Sequence, residues 1–519
     1  IPEVARINQY VTETSAQIES LKIEKRYWNM PSYLGLHYVT QYYVILKWLG
    51  IFEQSQLDES YLKQLLLESQ RSDGSWNAVK QDINEPFGEM DATIFNYFAL
   101  KVMGVDVQST PMLRAKNFIV SRGGIGEATV LTKIWLAHFG NAEWEAIPYI
   151  PMIFLMDWSP LNYTDFSSWT QPNIIPITYL RRHRMVKQMG EQYQLDELWI
   201  GAPKVTIKDG VPLHRWQANL FVNKLAAFQQ PKGSIGAYAL SSLMALIVLD
   251  DIQARYPQLA DKISPVTEGA LSFLESIFLN SGSSAYLGVV DDGRYWDTAL
   301  LSIALIGAGA PLENFVQTGE YLIQQQNDNG GFPFGEDFWF VPDNDDTAEI
   351  MMLLSQLDVD QGAVDKALGF LYDMQNKDGG WAAFDKNNTG NPIIKLIASA
   401  LLDSVDLYDN TSNDVTGHVL EAMSHLGLDK HNSDSVKKGI QYLKNAQKSD
   451  IPVWLGKWGT NYLYGTSAAL VGLLKAGENH HETYIKSSLR WLESRQNSDG
   501  GFGENNQSYH SLNSSHKCM

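Results

Sequence analysis

"FLYDMQNKDGGW", residues 370–381, places an aromatic residue first, a glutamine five positions on, and a Gly-Gly-aromatic ending six positions after that glutamine. "YLIQQQNDNGGF" (321–332) and "WLESRQNSDGGF" (491–502) follow the same template, and "LLLESQRSDGSW" (65–76) and "YLKNAQKSDIPVW" (442–454) are looser copies. A repeated helix end with a fixed turn accounts for the pattern. The aromatic and Leu pack inward on the last helical turn, Asn or Asp and Gly supply the left-handed turn that stops the helix, and Gln bonds exposed backbone of the next turn. Between the copies, "TGEYLI", "DKALGFLYDM" and "SSLRWLES" carry apolar residues at helical spacing, and strand-like alternation is scarce. The fold class is therefore expected to be all-α. Helix pairs recurring at intervals of roughly 50 residues predict a solenoid that closes into an αα-barrel.

A chain of 519 residues exceeds one ordinary core, which fits two large domains or a repeat array. Fifteen Trp, 24 Tyr and 20 Phe make it rich in aromatic residues. The formal charge of −19 argues against a phosphate-neutralising face, so no nucleic-acid partner is expected. The single cysteine, Cys518, lies in a polar tail, which excludes a disulfide framework and a thiolate zinc site. That usage, with no cationic apolar leader and no run of the roughly 18 apolar residues that a span needs, predicts a cytoplasmic protein. "AIPYIPMIFLM" (146–156) and "LFVNKLAAF" (220–228) are the segments suited to lie in a membrane surface. In particular, Leu213 to Phe228 set Trp216, Leu220, Phe221 and Leu225 on or near one helical face.

"PDNDDTAEIM" (342–351) crowds Asp343, Asp345 and Asp346 at the edge of an apolar run. Two readings stay open on these residues alone. Pro, Asp and Asn open turns, and Asp caps the helix that follows. Alternatively, crowded carboxyls resist one another's ionisation and keep a proton available at neutral pH.

The repeats resemble the "QW" repeats of triterpene cyclases, and "DNDDTA" is similar to the acid motif of squalene-hopene cyclases. The likeness runs from about residue 20 to about residue 505, through "MDATIFNYFALK" (90–101), "LNYTDFSSW" (161–169), "YWDTALLSIAL" (295–305), "GGFPF" (330–334), "SNDVTGHVLE" (412–421) and "GKWGTNYLYGT" (456–466). The resemblance implies proton-initiated cyclisation of a polyprene such as squalene, without cofactor or metal. It makes Asp345 the donor, flanked by Asp343 and Asp346. It gives His418, supported by Asp414, the role of orienting Asp345 and stabilising the carboxylate left behind, and it lets Tyr464 relay a new proton. It assigns Trp169, Trp296, Phe334, Trp381, Phe384, Trp458 and Tyr464 to an aromatic lining, and it makes Phe95 a further substrate-binding residue. Such a wall suits the chemistry, because π-faces attract carbocations without quenching them.

The layout implied is two αα-barrels: residues 1–21 and 291–519 form the acid-bearing barrel, and residues 22–290 form an inserted one. The family continues beyond "GGFGENNQSYH", so the C-terminal barrel is expected to be incomplete here. Phe95, in "DATIF", replaces the family's usual acidic residue, which puts the C35 substrate tetraprenyl-β-curcumene beside squalene. The expected partners are a polyprenoid substrate, a membrane surface contacted peripherally, and a second copy in a homodimer.

Three rival readings differ in class. "DDTAE" (345–349) with "NDVTGHVLE" (413–421) approaches the two magnesium motifs of a prenyl diphosphate cyclase, but Gly417 stands where a hydroxyl ligand is wanted. A zinc-dependent prenyltransferase needs a cysteine inside the repeats, and Cys518 lies outside them. A catalytically impaired αα-barrel binding protein gives no reason for the acid cluster.

Overall fold

The structure, a computed structural model, describes residues 2–30, 33–77, 89–160, 162–186, 189–201, 205, 208–280, 285–288, 290, 293–338, 341–390, 407–504 and 508. The tail at 510–518, with Cys518, lies outside them. The chain divides into two compact units. One comprises Ile1–Met30, Asp292–Thr389 and Tyr408–Met519; the other comprises Pro31–Asp291 and Gly390–Leu407. The fold class is all-α, as the repeats imply. The sheet is small: Tyr33–Leu34 and Phe278–Asn280 pair antiparallel on either side of Ala285–Gly288.

In the first unit, four inner helices, Arg294–Gly307, Asn344–Leu354, Asn413–His425 and Asn461–Lys475, pack side by side in succession. The outer helices Val316–Ile323, Gln361–Met374, Asp434–Ala446 and Thr483–Arg495 back them. Sequence explains the split. Every residue of the Asn344 helix is buried, whereas the Asp434 helix buries only Val436, Gly439, Ile440 and Leu443 and leaves its lysines outside. In the second unit the Leu36–Leu49 helix packs on both Met90–Val102 and Ala239–Arg255, so its inner helices return on themselves.

The repeat joins each helix pair to the next. Gln326 Nε2 donates to the Gly330 carbonyl of its own turn and to Ala363 O of the following outer helix, both at 2.8 Å. Gln375 does the same to Gly379 O and Ser435 O, Gln70 to Gly74 O and Pro111 O, and Gln229 to Gly233 O and Val266 O. The Gln229 copy escapes a search for aromatics, because Ile235 fills the closing position. Glycine is required in the turn: Gly379 has φ of +100°, and a Cβ there would stand 2.5 Å from Lys438 O.

A threonine completes the unit. The N–H of the closing residue donates to Oγ1 of a Thr in the first turns of an inner helix: Trp28 to Thr298, Trp76 to Thr93, Phe332 to Thr347, Trp381 to Thr416 and Trp454 to Thr466. The indole N–H groups of Trp28, Trp76, Trp381 and Trp454 cap the carbonyls of Ile18, Leu66, Leu371 and Leu443. All four tryptophans are essentially fully buried. Trp381 is thereby corrected: it is a packing residue of the repeat, equivalent to Trp28 and Trp454, rather than part of an aromatic lining.

The membrane stripe is corrected as well. Phe221 and Leu225 have no exposure, and Phe221 meets Tyr179 edge to face with ring centroids 5.0 Å apart. The apolar face of the Arg215–Ala227 helix is core of the second unit. Among the described residues, no helix is long and apolar enough to cross a membrane.

Candidate active site

The acid motif opens an inner helix, and both sequence readings hold at once. Asp343 is the N-cap of the Asn344 helix, its Oδ1 accepting the Asp346 N–H at 2.7 Å. Thr347 is the repeat threonine, bonded to Phe332 N and to Asp343 O. Asn344 donates from its amide nitrogen to Ala382 O and from its backbone to Ala383 O, tying the motif to the next turn. With cap, bridge and threonine engaged, Asp345 is left to face His418.

The repeat also explains which residues gather there. Trp296, Asp345, Asp414 and Tyr464 each stand two positions before a repeat threonine, Thr298, Thr347, Thr416 and Thr466, on four successive inner helices. Equivalent positions on adjacent repeats face a common place.

Asp345 Oδ1 lies 2.6 Å from His418 Nδ1. Burial opposes charge on this imidazole, but Asp345, then Glu349 and Asp414, outweigh it and raise its pKa from 6.5 to about 10. Asp343 and Asp346 are almost wholly buried. Burial pushes both carboxyls up; Asp343 opposes ionisation of Asp346, the hydrogen bonds of Asp346 favour the Asp343 carboxylate, and the charge of Asp345 raises both, so the pair holds a proton more tightly than an exposed Asp does. Oδ1 of Asp346 has no hydrogen-bond partner among the described residues.

Asp414 supports His418 by charge alone. Its Oδ2 accepts the N–H groups of Lys457 and Trp458, each at 2.8 Å, and so fixes the loop before the Asn461 helix. Tyr464 stands edge-on to His418 with centroids 6.1 Å apart, and Trp296 is tilted at 46° to the imidazole with centroids 6.5 Å apart. Burial, then the neighbouring carboxylates, raise the Tyr464 hydroxyl pKa. Gly459 lets the loop cross the Tyr464 ring: a Cβ there would stand 2.4 Å from Tyr464 Cγ. Phe334 meets Phe338 edge to face and leans on Gly293, and Phe384 meets Trp458 edge to face. Phe95 and Trp169 belong to the second unit, Phe95 buried on the Met90 helix and Trp169 just before the Gln171–His183 helix.

Glu349 was legible only as a would-be metal ligand. It lies one turn after Asp345, buried, with Oε1 4.0 Å from His418 Nδ1. Burial raises its pKa from 4.5 to about 7, with His418 opposing and Asp345 adding. A carboxyl raised in the folded state is no burden below 4.5, where both states are protonated, and lowers stability as pH rises toward about 7. His418 stabilises fully below 6.5 and loses that contribution as pH rises through about 10. Thermal stability should therefore fall from mildly acidic to alkaline pH. Glu349→Gln should flatten the fall below about 7 while Asp343 and Asp346 retain part of it. A melting curve as steep in the variant as in the wild type would contradict this.

Among known proteins, residues 12–255 match the family described as "Squalene-hopene cyclase N-terminal domain" and residues 294–518 match "Squalene-hopene cyclase C-terminal domain". The squalene-tetrahymanol cyclase of Tetrahymena thermophila is 31% identical over 500 residues, covering 93% of this chain and 75% of that one. The squalene-hopene cyclases of Bradyrhizobium diazoefficiens and Alicyclobacillus acidocaldarius are 28% and 29% identical, covering 87% and 88% of this chain and 74% and 77% of theirs. With two family domains in sequence order, and a capped acid motif set on the repeat, the chain belongs to the squalene-hopene cyclase family and is a class II terpene cyclase acting on polyprenes.

Proposed function

We propose that this enzyme protonates squalene from Asp345 and closes it into a hopene- or tetrahymanol-type polycycle. The observation that carries the reading is the 2.6 Å contact of Asp345 with an imidazole held cationic by surrounding carboxyls. An isolated alkene is a very poor base, so the donor must be dry and its conjugate base must be stabilised as it forms. His418 supplies that stabilisation, and it leaves the second oxygen of Asp345 to carry the proton to the alkene. Asp343 and Asp346 supply the local negative field, and Tyr464 returns a proton from water. Trp296, Phe334, Phe384 and Trp458 present π-faces to the cations that follow. Incubation with squalene and, separately, with tetraprenyl-β-curcumene, followed by mass spectrometry, tests the substrate. A polycyclic isomer or hydrate of squalene is expected; conversion of the C35 polyprene alone would replace squalene, and conversion of neither would reject the reading.

A polyprene is almost absent from water, so we also place a peripheral membrane contact in the proposal. Its best support is Trp158, 73% exposed, with Trp216, 57% exposed, and Ile153. Their segments adjoin, since Gln217 contacts Met152 and Lys224 pairs with Asp157. Apolar insertion of this kind resists salt. Trp158→Asp with Trp216→Asp should release the protein from liposomes at any salt concentration while its helix content stays the same. Unchanged sedimentation would contradict the contact.

A further inference from the structure

Phe384 and Trp458 come from separate loops, yet their rings meet edge to face with centroids 5.7 Å apart. Two buried carboxylates hold those loops. Asp409, with no exposure, accepts the N–H groups of Phe384 at 2.5 Å and Asp385 at 2.8 Å on Oδ2, and the Lys457 ammonium at 3.1 Å on Oδ1. Lys457 is held a second time through its backbone by Asp414, one turn before His418 on the Asn413 helix. Burial pushes the Asp409 carboxyl up, and Lys457 and the two amides oppose that rise.

An ion pair buried this deeply is weak evidence for stability, because desolvation offsets the attraction. Its geometry is the informative feature. One oxygen of Asp409 grips the residue carrying Phe384, and the other grips the residue next to Trp458. Asp414 then ties the same loop to the helix that bears His418.

We propose that Asp409 and Lys457 are positioning residues whose ion pair fixes the Phe384–Trp458 edge-to-face geometry. Through it they set the partition of the cyclising cation between further ring closure and early proton loss. Early loss sends the proton on the carbon beside the cation to water, and the C–H electron pair becomes the alkene of a product with fewer rings. The inference rests on the proton-initiated reading above.

The test removes both charges together, as Asp409→Asn with Lys457→Met, beside Lys457→Arg, which keeps the pair. With squalene, the share of mono- and bicyclic products should rise about tenfold in the double variant and stay at the wild-type level in Lys457→Arg. A product share is counted per turnover, so loss of folded protein does not imitate it. A wild-type share from the folded double variant would overturn the proposal. Lys457→Gln, which keeps a donor for Asp409 without the charge, is read the same way if the double variant does not fold. If the wild type cyclises no polyprene, the functional reading has failed, and binding of a long-chain trimethylammonium ion decides the inference by calorimetry. Affinity about tenfold weaker in the charge-free variant supports it, and equal affinity overturns it.

Discussion

Asp345→Asn should lower polyprene turnover by roughly 10⁴-fold or more, a barrier increase of about 5.5 kcal/mol, with the fold intact. The amide keeps the shape of the carboxyl and accepts from His418 Nδ1, so packing of the Asn344 helix is preserved. What disappears is the proton, and no neighbour replaces it in the same place. Asp343 is committed to the helix cap, and burial beside Asp343 holds the proton of Asp346 on. Glu349 points to His418 from the following turn. Steady-state rates with a folded control by circular dichroism check this, and activity within about tenfold of wild type would reject Asp345 as the donor.

The second large effect is on stability. Trp381→Ala should destabilise the first unit by about 3–5 kcal/mol, because it removes a fully buried indole and leaves the Leu371 carbonyl without its partner. The enzyme that remains folded should keep its product ratio. Denaturant titration together with product analysis separates the two roles. Near-wild-type stability with early-terminated products would restore Trp381 to the lining.

The repeat was legible in sequence because its turn demands specific residues. Gly330 and Gly379 adopt positive φ against the backbone of the next helix, and Gln326 and Gln375 each satisfy two carbonyls, so neither type is freely replaced. The Gln229 copy was not legible, since Ile235 packs where an aromatic usually stands. Trp381 was misread although it closes the repeat "FLYDMQNKDGGW": the resemblance also assigned it to the lining, and its complete burial and bond to Leu371 O settle it as a repeat tryptophan. The Phe221 and Leu225 stripe failed similarly. Helical periodicity reports that a face is buried and leaves open whether a bilayer or a core buries it.

In the site, the acid motif and the raised pKa values of its crowded carboxyls were legible, while the contributions of Glu349 and Asp409 were not. Glu349 reads in sequence only as the last ligand of a magnesium-type "DDTAE" motif, and its place beside the acid shows only where the Asn413 helix brings His418 within 4.0 Å. Asp409 lies in no motif, and its partners Phe384 and Lys457 are 25 and 48 residues away along the chain. Long-range pairings of that kind arise from the stacking of repeats, which fixes neighbours that local sequence does not name.

The central claim is that a proton, delivered by Asp345, starts the reaction. Turnover of squalene in deuterium oxide tests it most directly, with the product exchanged back into ordinary water and weighed by mass spectrometry. Each product molecule should carry one non-exchangeable deuterium, delivered to the alkene carbon that was protonated, and Asp345→Asn should give none of this product. A cyclised product free of deuterium, or the same labelled product formed at an undiminished rate by Asp345→Asn, would contradict the account.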